Sequence, residues 1–418
     1  MATSDGKPKR RSRPARTPSA AGSNDASDGR TSASTRTTIP TTAGGPQAAA
    51  GASLLDRLKG KRVCVCVGAG GVGKTTASAA LAVGLAARGQ KVAVVTIDPA
   101  VRLATALGRR ELSGEPARID PDLFAAQGIE MKGELWAMML DAKRTFDDIV
   151  TRLAPDRGAR EEILSNPIYR ELSSAVAGSQ ELSAIAKLYE LRHEHDFDVI
   201  VLDTPPSRNA VDFLEAPTRL LGFLEGRALK VFLAPSGLAA RLFGRSTGLV
   251  FAIFARVTGV DTLADLSSFF RALSGVIDGF GERTRGVAAL LRDPSTTFLI
   301  VTSPEREPAR EAVFLADRLA ARSMSRGGVI VNRVHFDGLD GHSVENVQAL
   351  LAPALGDSLA ARAAANLADF DVLVQRDRET IARLSRKLDE PEPVLVPHLD
   401  GDIHDLAGLA FVADHLLG

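Results

Sequence analysis

Eight residues near the start of the apolar part of the chain combine the residue types that bind phosphate. They read Gly-Ala-Gly-Gly-Val-Gly-Lys-Thr over residues 68–75, after the apolar run 63–67 and before the Ala-rich stretch 76–87. The pattern G-x-x-x-x-G-K-[ST] between a strand and a helix is that of a phosphate-binding loop. Glycines let consecutive backbone N–H groups turn toward phosphate oxygens, and the start of the helix adds its positive dipole end. The sequence therefore predicts a nucleotide phosphate site.

The side chains of this loop have separate predicted roles. Lys74 is expected to bridge the β and γ phosphates and to support catalysis, and the Thr75 hydroxyl is expected to bind Mg²⁺. The predicted nucleotide-binding residues of the loop are Gly70, Gly71, Val72, Gly73, Lys74, Thr75 and Thr76. The expected ligands are ATP and Mg²⁺.

Asp98 directly follows the second predicted strand, residues 92–97. A carboxylate at this place can position or deprotonate the water that attacks the γ-phosphate. The alternative is an N-cap for a helix that starts at Pro99, and both roles are compatible. Asp98 is therefore a candidate catalytic residue.

Asp203 follows the third predicted strand, the apolar run 199–202. It is expected to accept hydrogen bonds from Mg²⁺-bound water, which is the role of a Walker B acid. Thr204 and the rigid pair Pro205-Pro206 are typical of a switch that senses the γ-phosphate. The predicted switch residues are Asp98, Pro99, Asp203, Thr204 and Pro205.

Asn332 stands at the end of another apolar run, residues 329–331. Its amide can offer both a donor and an acceptor to the edge of a base. An asparagine after a strand is equally typical of a turn. From the residue alone, both interpretations stay open.

The elements that must position these residues follow an alternating pattern. Short Val- and Ile-rich runs are separated by segments of helix length, which indicates parallel strands buried on both faces. The predicted strands are 63–67, 92–97, 199–202, 298–301, 329–331 and 394–396. We expect an α/β fold, a doubly wound, mostly parallel sheet of a P-loop NTPase, with ligands at the loops that follow the strands.

The predicted domain covers residues 53–418 and carries two helical insertions, at about 130–195 and 216–292. The first includes predicted helices at 134–153 and 179–192. The second carries more large apolar residues than a helix covering a sheet needs. Ordinary helix packing and an exposed groove for a client or partner are both compatible with that composition.

Residues 1–52 are rich in Ser, Thr, Ala, Gly, Pro and Arg and have no apolar periodicity, so they are predicted to be a disordered tail. Its basic run, 7–13, is either solvated or contacts anionic lipid or nucleic acid. Over the whole chain, 51 Lys and Arg balance 51 Asp and Glu, which argues against a nucleic-acid coat. Nucleic acid is therefore not an expected partner.

Cysteine and hydropathy patterns indicate a protein of the cytoplasm. The two cysteines, Cys64 and Cys66, lie within the first predicted strand and are interpreted as core residues in a reducing compartment. No structural zinc is expected, and the pair His193 and His195 is interpreted as solvated. A secretory signal and long uncharged apolar runs are absent from the sequence, so membrane contact is expected only peripherally, through a partner.

Taken together, these motifs resemble the ArsA-type family, the arsenical-pump-driving and tail-anchored-protein-targeting ATPases with a deviant Walker A loop. The residues that carry the resemblance are Gly70-Gly71, Asp98-Pro99-Ala100, Asp203-Thr204-Pro205-Pro206 and Asn332. The resemblance extends from about residue 61 to the C-terminus. It implies a dimer with nucleotides at its interface, Asp98 as the catalytic carboxylate, and Asn332 with Pro397 and His398 near adenine.

The sequence departs from the family pattern in three places. Ala69 stands where the family usually has a lysine that reaches the partner's phosphates, so the chain resembles a bacterial member without that lysine. Residues 207–209 replace a Thr-Gly-His element, and the family's metal-binding cysteines are absent, which disfavours arsenite as a ligand. Two hypotheses follow: a heterodimer with a lysine-bearing paralogue, or a homodimer in which Arg102 or Arg208 replaces the lysine.

The function favoured by the sequence is an ATPase that couples hydrolysis to the handling or targeting of a hydrophobic or membrane-protein client. A partition or division-site positioning ATPase shares the deviant loop, but the long helical insertions disfavour it. A nucleotide-dependent scaffold that does not hydrolyse ATP is the third hypothesis. Retention of Asp98 disfavours the scaffold, since a scaffold has no chemical need for that carboxylate.

Overall fold

The computed structural model of the chain describes residues 53–97, 102–166, 169, 180–204, 215, 218, 222, 279, 281–336, 339, 341–390, 392–399, 401, 403 and 405–418. Several sequence predictions fall outside these residues: the tail 1–52, Asp98, Pro99, Pro205, residues 207–209 and most of the second insertion, 216–292.

Eight strands form one sheet in the order β3-β4-β2-β5-β1-β6-β7-β8. The strands are β1 Val63–Gly68, β2 Lys91–Thr96, β3 Ala117–Arg118, β4 Glu134–Met139, β5 Val199–Asp203, β6 Thr296–Thr302, β7 Arg326–Val334 and β8 Val394–Pro397. All neighbours pair in parallel except β3 and β4, which are antiparallel. The predicted fold class and its six predicted strands are confirmed.

Helices cover both faces of this sheet. They are α1 Leu54–Arg57, α2 Lys74–Ala87, α3 Arg102–Ala106, α4 Pro121–Ala125, α5 Ala142–Leu153, α6 Arg157–Ser165, α7 Gln180–Glu194, α8 Arg306–Ala320, α9 Val344–Leu355, α10 Asp357–Leu388 and α11 Leu406–Leu417. Helices α2 and α11 share one hydrophobic core with one face of the sheet, and α7, α8 and α10 share a second core with the other face. No helix among the described residues combines the length and apolar character needed to cross a membrane.

The central strand β1 shows why the strands of the sheet appear in the sequence as continuous apolar runs. All six of its residues are buried. Alternate side chains enter opposite cores, because successive residues of a strand point to opposite faces. Val63, Val65 and Val67 lie in one core, and Cys64 and Cys66 lie in the other. The interpretation of both cysteines as core residues is confirmed.

The predicted helix over residues 134–153 is wrong in its first part. Glu134–Met139 is strand β4, which pairs in parallel with β2 along its full length, and helix α5 begins only at Ala142. The short apolar run 135–140 has no period that separates a strand from a buried helix. The run forms a strand because it pairs with the edge of β2, and that pairing satisfies the backbone hydrogen-bonding groups of both strands. The helix predicted at 179–192 is confirmed as α7.

Candidate nucleotide-binding site

The predicted phosphate loop connects the carboxyl end of β1 to the start of α2. Two of its glycines are required by close contacts. A Cβ at Gly68 would lie 2.0 Å from the Val301 carbonyl oxygen of the neighbouring strand β6. Gly73 has a φ of +88°, and a Cβ there would lie 2.2 Å from Nδ2 of Asn332. Any side chain at either position would push the loop away from the sheet.

Helix α2 begins at this loop without a side-chain cap. Its N-cap residue is Gly73, which has no side chain to accept hydrogen bonds from the first turn. By contrast, α5, α6 and α11 are each capped by an aspartate side chain, and α9 is capped by a serine. The backbone N–H groups of the first turn of α2, where Thr75 and Thr76 lie, therefore suit an anionic ligand.

Lys74 lies folded over the loop. Its side chain is buried, with 7% of the residue exposed, and its Nζ donates a hydrogen bond of 2.7 Å to the carbonyl oxygen of Ala69. An ammonium group carries three donors, so this contact leaves the group able to bind phosphate oxygens as well. The methyl group of Ala69 is itself buried and offers no charge.

Thr75 and Asp203 meet across the loop. The Thr75 hydroxyl donates a hydrogen bond of 2.7 Å to Oδ2 of Asp203, and the hydroxyl of Thr96, the last residue of β2, donates one of 3.0 Å to the same oxygen. Asp203 is 1% exposed. A hydroxyl and a carboxylate at this spacing, on two different elements, fit a hydrated Mg²⁺ ion, which prefers oxygen ligands and retains several waters.

Thr204 is tied to the strand that carries the loop. Its hydroxyl donates a hydrogen bond of 2.7 Å to the carbonyl oxygen of Cys66 in β1. Burial raises the pKa of the Cys66 thiol to about 12, so the thiol remains protonated at neutral pH. The first residue after β5 is thereby fixed next to the phosphate loop, while the remaining switch candidates Asp98, Pro99 and Pro205 lie outside the described residues.

Asn332 lies inside a strand, not at its end. Strand β7 continues to Val334, so the turn interpretation of Asn332 is wrong. The side-chain amide instead donates a hydrogen bond of 2.9 Å from Nδ2 to the carbonyl oxygen of Val72 in the phosphate loop. Asn332 therefore supports the loop, and contact of its remaining amide oxygen with a base stays a prediction.

Pro397 ends β8 and pairs with Val334, two residues beyond Asn332. The backbone N–H of His398 donates a hydrogen bond of 2.9 Å to the carbonyl oxygen of Val334. The structure thus places Pro397 and His398 at the same edge of the sheet as the loop. Within the described residues, no hydrogen bond joins either residue to the loop, so their place beside adenine stays a prediction.

Two groups near the site were missed by the sequence analysis. Thr96 contacts Asp203, and its position at the carboxyl end of β2 was a usable signal. The second group is a buried carboxylate, Asp377 of α10, which is fully buried and accepts hydrogen bonds from the backbone N–H of His335 at 3.1 Å and from its ring Nδ1 at 2.7 Å. Sequence gives no signal for this contact, because 42 residues separate the partners.

Across the described parts of the chain, no three His, Cys, Asp or Glu side chains come together as a metal-binding cluster. His193 instead stacks on Tyr189, with ring centroids 4.0 Å apart, and His195 stacks on Phe197 at 5.5 Å. Both histidines are exposed, as the sequence analysis expected.

Comparison with known proteins shows which protein family this chain matches. A sequence profile of the ArsA family, described as anion-transporting ATPases, matches residues 61–350, which is more than half of the chain.

Individual proteins similar to this chain carry names from the same family. ATPase ARSA2 of Chlamydomonas reinhardtii is 28% identical over 274 residues, which cover 64% of this chain and 67% of that protein. The putative arsenical pump-driving ATPase 1 of Aquifex aeolicus is 27% identical over 279 residues, 65% of this chain and 63% of that protein. ATPase GET3A of Arabidopsis thaliana is 28% identical over 276 residues, 65% of this chain and 67% of that protein. The chain thus spans 63–67% of the length of these three relatives, and it belongs to the ArsA family of anion-transporting ATPases, nucleotide-binding enzymes of the P-loop class.

Proposed function

We propose that this chain binds ATP with Mg²⁺ at the phosphate loop, hydrolyses it, and as part of a dimer couples that cycle to the handling of a hydrophobic protein client. The observation that carries the proposal is the hydrogen bond between Thr75 and Asp203. It joins the first helical residues after the phosphate loop to the acid that ends β5, which are the two elements that hold Mg²⁺ in P-loop ATPases.

The proposed roles of the loop residues follow from their contacts. Lys74 holds the β and γ phosphates, and the N–H groups of residues 70–76 surround them. Thr75 and Asp203 hold Mg²⁺, with Asp203 acting through water. The ion, when bound, neutralises charge that develops on the phosphates. Asn332 keeps the loop in shape through the Val72 carbonyl.

Asp98 is the proposed catalytic carboxylate. It follows β2 by two residues, and the last residue of β2, Thr96, already contacts Asp203. Because β2 ends at the carboxyl edge of the sheet, the proposal has the segment with Asp98 and Pro99 begin at that edge. In the proposal, Asp98 orients or deprotonates the attacking water. Thr204, anchored through the Cys66 carbonyl, acts with Pro205 to transmit the presence of the γ-phosphate.

The proposed assembly is a heterodimer with a lysine-bearing paralogue. Ala69 cannot reach across an interface, and a charge-assisted contact to phosphate at this point would have to come from the partner. The competing arrangement is a homodimer in which Arg102, an exposed residue at the start of α3, or Arg208 supplies the charge. Support for a hydrophobic client comes from the family resemblance and from the apolar composition of 216–292.

Steady-state ATP turnover by the purified chain, measured over a range of protein concentrations with Lys74→Ala as background, tests the proposal. Specific activity that rises with concentration above this background supports ATP hydrolysis by a homodimer and contradicts the obligatory heterodimer. If the chain binds ATP without turnover, a lysine-bearing paralogue is added. Restored hydrolysis supports the heterodimer, whereas absence of any hydrolysis contradicts the ATPase proposal and favours a scaffold.

A further inference from the structure

A groove with a volume of about 750 Å³ runs between helices α8 and α10, and no residue of the phosphate loop lines it. One wall is the first half of α8, which starts directly beyond β6, and the other is the last part of α10. The groove is partly open to solvent. Its volume lies within the range of pockets that bind sizeable ligands.

The rim of the groove is strongly basic. Arg306 and Arg310 stand four residues apart on α8, and Arg376, Arg383 and Lys387 recur on one face of α10. All five side chains are exposed. Among the described residues that line the groove, Glu305 is the one carboxylate. In a chain whose total charge is zero, this is a local concentration of positive charge.

Three of the five rim cations have carboxylate partners among the described residues. Arg376 pairs with the buried Asp377 at 2.9 Å. Arg310 pairs with Glu307 at 2.6 Å and Arg383 with Glu379 at 3.7 Å, both exposed pairs that contribute little to stability. Arg306 and Lys387 have no ion pair with any described residue. These two cations, one on each wall, therefore remain able to bind an external anion.

The floor between the two walls is apolar. Ala309 and Val313 of α8 and Leu384 of α10 line it, and the methyl-bearing Thr380 extends it. A free phosphate ion or a nucleic acid backbone would leave this floor uncovered, and no aromatic side chain lines the groove to stack on bases. A concave groove also fits a membrane surface poorly. The occupant must present apolar and acidic groups side by side.

We propose that the α8–α10 groove binds an acidic amphipathic segment of a partner protein. The apolar face of the segment covers Ala309, Val313 and Leu384, and its Asp and Glu side chains pair with the cationic rim. This is the helix-in-groove mode of recognition, with apolar anchors at helical spacing and charge complementarity that sets the orientation. The inference is independent of ATP hydrolysis, because no groove residue belongs to the phosphate loop.

Fluorescence anisotropy with a designed peptide tests the inference. The probe is a labelled helix of about 18 residues, five turns, with leucines on one face flanked by glutamates. The test variant is Arg306→Glu/Lys387→Glu in the full chain. The matched control, Arg318→Glu/Arg362→Glu, places the same charge changes on the same two helices outside the groove. Titrations are run without nucleotide, so a chain that fails to hydrolyse ATP still gives an answer.

We expect saturable binding that the test variant weakens about tenfold, equivalent to about 1.4 kcal/mol, and that the control retains. The basic tail is present in every variant, so any binding it contributes is common to all of them. Equal affinity of test and control variants would overturn the inference. Equal binding of a glutamate peptide without leucines, or a charge-dependent response to anionic vesicles or duplex DNA but not to the peptide, would overturn it as well. If circular dichroism shows that the test variant is misfolded, Arg306→Gln/Lys387→Gln replaces it.

Discussion

The phosphate-loop end of the sheet and the α8–α10 groove hold their charges in opposite ways. At the loop, Lys74 and Asp203 are buried; Lys74 donates a hydrogen bond to the Ala69 carbonyl of the loop, and Asp203 accepts one from Thr75 of α2. In the groove, the cations stand exposed on two helix surfaces above an apolar floor. Both regions suit anions. The phosphate loop offers backbone groups and buried side chains in fixed positions, whereas the groove offers exposed Arg and Lys side chains on its rim.

The difference in burial between the two regions indicates where single substitutions have large effects. A buried charge interacts in a medium of low dielectric constant, and its partners have no water to replace it. The charge of an exposed cation is screened by water and salt, and neighbouring cations can make similar contacts, so losing one of them has a small effect. Single substitutions are therefore expected to have their largest effects at the loop end of the sheet and in the residues that support it.

The largest effect is expected at Lys74. Lys74→Ala removes the charged donor that we propose holds the phosphates, and we expect turnover to fall roughly 100- to 1000-fold, the loss typical of a preorganised donor in a buried site. Steady-state ATPase assays measure it. The control is Lys59→Ala, which removes an exposed lysine that pairs with Asp56 on the surface. If the two variants lost the same activity, the loop would not be the catalytic site.

A smaller effect on stability is expected at Asp377. Asp377→Ala leaves two donors of His335 and the guanidinium of Arg376 without their buried acceptor. We expect a loss of about 2 kcal/mol in the free energy of unfolding, because the half-buried His335 loses two hydrogen bonds to a charged acceptor, whereas the exposed Arg376 can bond to water instead. Urea denaturation measures it.

The matched control for Asp377 is Asp369→Ala, an exposed carboxylate on the same helix. We expect its effect on stability to stay within about 0.5 kcal/mol. Equal losses in the two variants would mean that burial of Asp377 contributes nothing. Arg376 lies both in the α8–α10 groove and on Asp377, so this carboxylate also links the groove wall to strand β7.

The smallest effect is expected at Asn332. Asn332→Ala removes one neutral hydrogen bond to the Val72 carbonyl, which contributes about 1 kcal/mol, so the affinity for ATP should weaken about fivefold while the protein stays folded. Isothermal titration with ATP and Mg²⁺ measures it. Asn346→Ala, at an exposed position of α9, is the control. An unchanged affinity in Asn332→Ala would show that the amide does not position the loop.

Prediction from sequence was accurate where local pattern and chemistry coincide. The loop 68–75 needed its glycines for contacts that the structure shows, and buried parallel strands read as apolar runs because both faces are covered. It failed at Glu134–Met139, where a short apolar run has no distinguishing period, and at Asn332, where the strand continues beyond Val331, the end of the predicted run. In both cases the neighbouring strand decided the outcome.

By itself, the sequence determined the phosphate loop, the acid that ends β5, the fold class and the absence of a lysine at position 69. These features follow from residue type and spacing, because local chain conformation alone sets which residues each of them needs. Only the tertiary structure decided that Thr75 and Thr96 share one oxygen of Asp203, that Asp377 anchors His335, and that α8 and α10 form a basic groove. Each of these contacts joins residues far apart in the chain, and folding brings them together through packing that no local pattern records.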